Sequence, residues 1–357
     1  MDRKFRAMIT NNFAPGIAVI FLLLISVCSL TACSESDPAE ISEVDEITDR
    51  TQLRAVTQGK TGGNEESSTR GSEENMEFFN TATEYKDLAY DTLSESQKLD
   101  LYLPETGEGP FPLIVFIHGG GWYSCDKADG QEAAWVELRK QGYAVASINY
   151  RLSGEAAHPA GLIDCKTAIR FLRANAEQYQ LDPERVAVSG GSSGGHYALM
   201  VALTPGNPEF EDLSRGYPEE NTDVCCAVGW YPATDLSAIM RAVQTGEYTG
   251  FGAEYAWANI ERYIGKTIED VNDESLSLAS PVHYISEDMP PILLQHGDVD
   301  KLCPVSQSWE FYHETVSAVD EDRVTIEILN DADHADHAFE TAENMKTVSA
   351  FLDQYLK

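Results

Sequence analysis

The sequence predicts an α/β protein, a mainly parallel sheet with helices on both faces. Two observations carry this. Apolar, strand-like runs near residues 98–103, 112–118, 143–149, 185–190, 225–230, 291–296 and 323–329 alternate with helical patterns near 129–141, 163–179, 193–204, 305–318 and 342–356. Strands alternating with helical crossovers are the signature of a parallel sheet. The second observation is local: Arg185-Val186-Ala187-Val188, a Gly/Ser turn through Gly195, and Tyr197-Ala198-Leu199-Met200 read as strand, tight turn and helix. In such sheets ligands bind outside the carboxyl ends of the strands. The loops that follow strands are therefore where chemistry is sought.

Taken in order, the chain opens with Arg3, Lys4 and Arg6, then an apolar run from Gly16 to Leu30 that ends in Leu30-Thr31-Ala32-Cys33. A basic start, an apolar centre and a small-residue end describe an export signal over residues 1–32. Residues 33–76 are rich in Ser, Thr, Gly, Glu and Asp, and too poor in apolar side chains to form a core. They are read as a disordered acidic tether. Residues 77–357 remain for one catalytic domain, a size that supports a large core. No internal repeat is visible. The formal net charge of the chain is −34, and removing residues 1–32, with three basic and one acidic side chain, takes it to −36. A surface this acidic disfavours nucleic acid as a partner.

Four strand ends carry candidate chemistry. After Pro112–Ile117 comes His118-Gly119-Gly120-Gly121-Trp122, whose glycines let backbone amides turn into a cavity. After Arg185–Val188 comes Gly190-x-Ser192-x-Gly194, with a serine at the tip of a sharp turn and a helix N-terminus behind it. After Pro291–Gln295 comes His296-Gly297-Asp298-Val299-Asp300, which offers two acids. After Val324–Leu329 comes a loop with His334 and His337, just before the last helix. A hydroxyl, an acid and an imidazole in that chain order suit nucleophilic acyl transfer.

With these residues in view, the chain resembles the α/β-hydrolases. Within them it is similar to the esterase/lipase group with the HGGGW oxyanion motif, which includes acetyl-xylan and feruloyl esterases and hormone-sensitive-lipase-like carboxylesterases. The resemblance runs from about Tyr85 to Lys357, and includes Leu99–Pro104, Asn149–Leu152, Asp164–Arg173 and Tyr231–Leu236. Two departures stand out. Ser193 replaces the usual alanine after the nucleophile, and Asp331-Ala332-Asp333 replaces a Gly-rich turn before the histidine. The resemblance implies Ser192 as nucleophile, with Ser193 as the competing register. It implies His334 as base, with His337 at the rim, and Asp300 as the acid, with Asp298 bonding loop amides. Amides of Gly120, Gly121 and Ser193 would form the oxyanion hole. The Leu-Thr-Ala-Cys ending resembles a bacterial lipobox. It implies lipid attachment at Cys33 and anchorage to the membrane outside the cytoplasm, the alternative being plain secretion.

The remaining expectations are structural. Residues 236–280 are longer than a simple crossover and are read as a small cap insertion. Its aromatics Tyr248, Phe251, Tyr255, Trp257 and Tyr263 are expected mostly to form the cap's own core, with an acyl-pocket lining as the alternative. His118 and Trp122 are expected to brace the oxyanion loop, His196 to be packed, His158 to sit in a loop, Arg151 to form an ion pair and Asp333 to be solvated. Cys125 and Cys303 are candidates for a disulfide. No cysteine pair has zinc-site spacing with a histidine, and neither metal nor cofactor is expected. The functional expectation is a serine carboxylesterase for small acyl esters, plant polysaccharide esters among the candidates. The alternatives are an arylformamidase-like amidase and an inactive binding module on the same fold. A prolyl-oligopeptidase-type enzyme would need a propeller domain, for which there is no room.

Overall fold

The computed structural model describes residues 85–267 and 270–357. The expected export signal, Cys33 and the expected tether lie outside the described residues. Eight strands form one sheet: β1 (Tyr85–Ala89), β2 (Lys98–Tyr102), β3 (Phe111–Ile117), β4 (Ala144–Ile148), β5 (Leu181–Gly191), β6 (Cys226–Trp230), β7 (Ile292–Gly297) and β8 (Val324–Leu329). Their spatial order is β1-β2-β4-β3-β5-β6-β7-β8. The pairs β1–β2 and β2–β4 are antiparallel, and every later pair is parallel. The helices in chain order are α1 (Ala133–Val136), α2 (Ala160–Ala174), α3 (Ala176–Tyr179), α4 (Ser193–Leu203), α5 (Leu236–Thr245), α6 (Phe251–Ile264), α7 (Asp273–Leu278), α8 (Ser306–Ala318) and α9 (Ala342–Leu356).

The central strands are apolar on both faces because both faces are covered. All seven residues of β3 are buried. Leu113, Val115 and Ile117 enter one core with α2, α4 and α8, while Ile114 and Phe116 enter a second with Trp135, Val348 and Leu352. That split follows the two-residue period of a strand. The edge strand β1 was not expected. Its Lys86 and Asp87 are exposed, and a register shift between Tyr85 and Leu88 breaks the alternation. Charge and a bulge are ordinary protections for an edge, and they erase the strand pattern.

Two helices differ from the expected bounds. The pattern near 129–141 yields only α1 and a 3₁₀ turn over Glu137–Gln141, closed by Gly142 at φ 90°. The pattern near 163–179 begins at Ala160 and is divided at Asn175, whose Nδ2 donates to the Phe171 carbonyl at 2.8 Å. Arg151 forms the expected ion pair. Its Nε and Nη2 each lie 2.8 Å from the buried Asp164 carboxylate, which also accepts from Gln97 Nε2 at 2.7 Å. This clasp ties the segment after β4 to helix α2.

The cap departs from expectation. Leu236, Ile239 and Met240 of α5, Ile260, Tyr263 and Ile264 of α6, and Leu276 of α7 belong to the same core as β2, β3 and α4. The insertion is a continuation of the main core, because Tyr263, Tyr248 and Trp257 pack into the domain beneath, while Phe251 meets Tyr255 within the cap at 6.1 Å. Phe251 is the exception, at 62% exposed. Among the described residues no helix is long and apolar enough to cross a membrane.

Candidate active site

Ser192 sits between the last residue of β5 and the first of α4, at φ 56° and ψ −125°. A non-glycine residue with positive φ is strained, and such strain persists only where the surroundings impose it. Here the Ser192 amide donates to the Trp230 carbonyl at 2.9 Å, and the Ser192 carbonyl accepts from the His196 amide at 2.9 Å. The turn also needs close approach. A Cβ on Gly194 would lie 2.1 Å from the Ile117 carbonyl oxygen, so only glycine lets α4 start against the end of β3.

The acid loop after β7 and the histidine loop after β8 bring two more side chains to this point. His334 Nε2 lies 3.0 Å from Ser192 Oγ, and His334 Nδ1 lies 2.8 Å from Asp300 Oδ2. A carboxylate only accepts, so Nδ1 carries the proton and Nε2 is left to accept from the serine hydroxyl. Asp300 Oδ1 accepts from the Leu302 and Cys303 amides, both at 2.8 Å. Its side chain is fully buried. Burial alone would raise its pKa, but hydrogen bonds from His296, His334 and the Cys303 amide hold it well below the ordinary carboxylate value. The charge is therefore permanent at neutral pH.

The competing residues fall elsewhere. Ser193 is buried at the start of α4, and the hydroxyl that meets His334 is that of Ser192. The His337 side chain is 81% exposed and lies 3.5 Å from Glu340. Asp298 Oδ1 accepts from the Asp331 amide at 2.7 Å. Asp333 is not merely solvated, as expected, but bridges the two loops. Its Oδ1 accepts from the Lys301 amide at 2.9 Å and the His334 amide at 2.8 Å, and its Oδ2 pairs with Lys301 Nζ. Cys125 is exposed and Cys303 is buried, and no disulfide joins them, so the candidate pairing is not formed.

A cavity of about 40 Å³ opens at Ser192 and His334, with Gly121, Ser193, Ile239 and Tyr255 on its wall. Gly120 lies just behind and shapes the turn, its carbonyl accepting from the Tyr123 and Ser124 amides at 3.1 Å. Gly121, at φ 61°, faces the cap. A Cβ there would come within 2.7 Å of the Tyr255 hydroxyl. Two stacks hold this turn. His118 Nδ1 donates to the Gly119 carbonyl at 2.8 Å, and its ring lies on Tyr150 at 4.5 Å. Trp122 lies on Tyr263 of the cap at 4.5 Å and 11°.

Tyr263 anchors a buried proton chain that the sequence did not reveal. His196 Nδ1 donates to the Ala233 carbonyl at 2.9 Å, so its Nε2 accepts from the Tyr263 hydroxyl at 3.2 Å. The same oxygen then accepts from His158 Nδ1 at 2.8 Å. His158 thus joins the packed cluster, beyond its expected place in a loop. Burial lowers its pKa to about 3, helped by neighbouring His196, and lowers that of His196 to about 4.

Residues 99–315 match the BD-FAE family. The probable carboxylic ester hydrolase LipM of Mycobacterium tuberculosis is 32% identical over 227 residues, 63% of this chain and 50% of that protein. The chain spans half to three-fifths of the length of the first three curated relatives it matches. Among solved structures, a truncated carbohydrate esterase from gut microbiota is 28% identical with a TM-score of 0.66, covering 76% of this chain and 95% of that one. A bifunctional GH43-CE protein of Bacteroides eggerthii is 29% identical with a TM-score of 0.66, covering 76% and 38%.

His158 and His196, with His118, whose pKa burial also lowers, make stability acid-sensitive. An unfolded histidine titrates near 6.5, so below that pH the unfolded chain binds more protons than the folded one. Their contribution is complete above about pH 6.5 and is lost as pH falls toward 4. At pH 5 His158 and His196 together cost about 4 kcal/mol. Denaturant melts at pH 7 and pH 5 should show this loss, and His158→Asn, which keeps a donor toward Tyr263, should remove about half of that share. An unchanged pH slope in the variant would contradict the assignment.

Proposed function

Since the chain belongs to the BD-FAE family and has the α/β-hydrolase fold, we propose that it is a serine carboxylesterase for small acyl esters. The observation that carries this reading is the continuous contact from Ser192 Oγ through both nitrogens of His334 to the buried Asp300 carboxylate. Ser192 attacks the ester carbonyl carbon as His334 Nε2 takes its proton. Asp300 keeps the imidazole in the accepting tautomer and stabilises the cation that forms. Amides of Ser193 and of the Gly120–Gly121 turn receive the oxyanion, each donor being worth about 3 kcal/mol of barrier. The His334 proton passes to the departing alkoxide and the alcohol leaves. Water, deprotonated by the same nitrogen, then attacks the acyl-serine, releasing the acid and restoring Ser192.

The small cavity at Ser192 supports a short acyl group. At about 40 Å³ it has room for roughly three water-sized groups, which suits acetyl or propionyl. A saccharide as the alcohol is supported by the two structural neighbours, a carbohydrate esterase and a GH43-CE protein. Residues 1–32 as export signal, Cys33 as the lipidated residue and 33–76 as tether complete the reading of an enzyme held on a bacterial membrane outside the cytoplasm. Its support is the basic start, the apolar run and the Leu30-Thr31-Ala32-Cys33 ending.

The purified protein should hydrolyse p-nitrophenyl acetate, with rates falling steeply from acetate to octanoate. Ser192→Ala should lower kcat by about a thousandfold or more, and Ser193→Ala should keep most of it. An active Ser192→Ala beside a dead Ser193→Ala would move the nucleophile. Turnover of N-formylkynurenine without turnover of acetylated xylan would favour the amidase reading. In cells given a palmitate analogue, the wild-type chain should carry label and Cys33→Ala should not; equal labelling of both would end the lipoprotein assignment.

A further inference from the structure

Asp300 carries a second histidine for which the cycle above has no use. His296, the penultimate residue of β7, is fully buried, and its Nε2 lies 3.2 Å from Asp300 Oδ2 and 3.0 Å from the Cys303 carbonyl. Both neighbours only accept, so Nε2 must carry a proton. On the other side of the ring, Nδ1 lies 2.8 Å from Ser308 Oγ of helix α8, whose hydroxyl can donate to it. The oxygen that holds His334 thus also lies 3.2 Å from another imidazole nitrogen, whose hydrogen bond is made to the Cys303 carbonyl beside it.

We propose that His296 is a positioning residue, whose N–H, between the Cys303 carbonyl and Asp300 Oδ2, sets the carboxylate's direction and how strongly it holds the proton of His334. A carboxylate oxygen with two donors has less basicity to spend on either. The shared contact stands on geometry alone, and only its catalytic consequence rests on the esterase reading.

The other charged and titratable groups around this carboxylate are engaged elsewhere. Lys301 is turned outward to Asp333, and Asp298 holds the Asp331 amide. The Tyr248 hydroxyl donates to the Leu302 carbonyl at 2.9 Å, and the Cys303 thiol is directed at the Pro232 carbonyl at 3.6 Å. The Tyr231 ring packs on His334 at 4.6 Å. Among the described residues, His334 and His296 are the two side chains within reach of Oδ2.

The test is imidazole NMR on the whole protein, with variants. In the wild type, Nε2 of His296 should be protonated at neutral pH; a bare Nε2 would overturn the proposal whatever the variants do. His296→Leu deletes the donor and should raise the pH at which the His334 ring titrates by roughly half a unit or more. The acid limb of kcat/KM should rise with it, and kcat should fall about tenfold. His296→Gln offers an amide N–H at the same place and should restore the wild-type titration. A folded Leu variant with unmoved His334, or a Gln variant shifted as far as Leu, would overturn the role. If the NMR pattern holds but no ester is cleaved, the esterase reading fails and the histidine pairing stands.

Discussion

The site depends on one backbone reversal. At Ser192 the chain leaves β5 and enters α4 through a conformation that an L-residue adopts only under compulsion. The compulsion comes from the neighbouring strand and the following helix, through the Trp230 carbonyl and the His196 amide. Gly194 makes the reversal sterically possible, since nothing larger fits against the end of β3. Once the serine hydroxyl is fixed, the loops after β3, β7 and β8 have a defined point on which to converge. All three leave the sheet at its carboxyl edge, so convergence follows from parallel strand direction and strand order.

The loops are held by polar contacts, and the cap holds the Gly119–Trp122 turn. Asp333 takes both the Lys301 and His334 amides, which fixes the acid loop and the histidine loop relative to each other. Asp298 repeats this with the Asp331 amide. Tyr263 does a different job. Its ring supports Trp122 while its hydroxyl joins two neutral histidines, one of them on helix α4, which follows Ser192. Trp122, which lines the cavity, is therefore part of the main core together with Tyr263. Movement of the cap would cost core contacts as well as exposing the serine.

Much of the frame was legible because it is written in apolar periodicity and glycine. Strands β2 to β8 are runs with buried residues on one or both faces, and their loops carry turn chemistry that few other arrangements require. The residues Ser192, Asp300 and His334 could be singled out because each follows a recognisable strand end. Other features were hidden for physical reasons. Strand β1 has exposed charge and a bulge, so it shows no alternation. Asp333 looked solvated because Lys301, which meets it through both amide and side chain, lies 32 residues away on another loop. His296 stood inside the pattern that singled out Asp300, but its contact depends on how far the acid loop folds back. The expectation of an independent cap core failed for the same reason, since ring composition does not say which surface a ring will meet.

The central claim is that the strained serine at residue 192 is the activated nucleophile. Its most direct test is the site of modification by a fluorophosphonate, which captures a serine whose hydroxyl is deprotonated by a neighbouring base and leaves a tetrahedral adduct. Mass spectrometry with fragmentation of the peptide between Arg185 and Arg215 should localise a single adduct to Ser192, formed far more slowly in His334→Ala. An adduct on Ser193, or a folded protein that takes no adduct, would contradict the account.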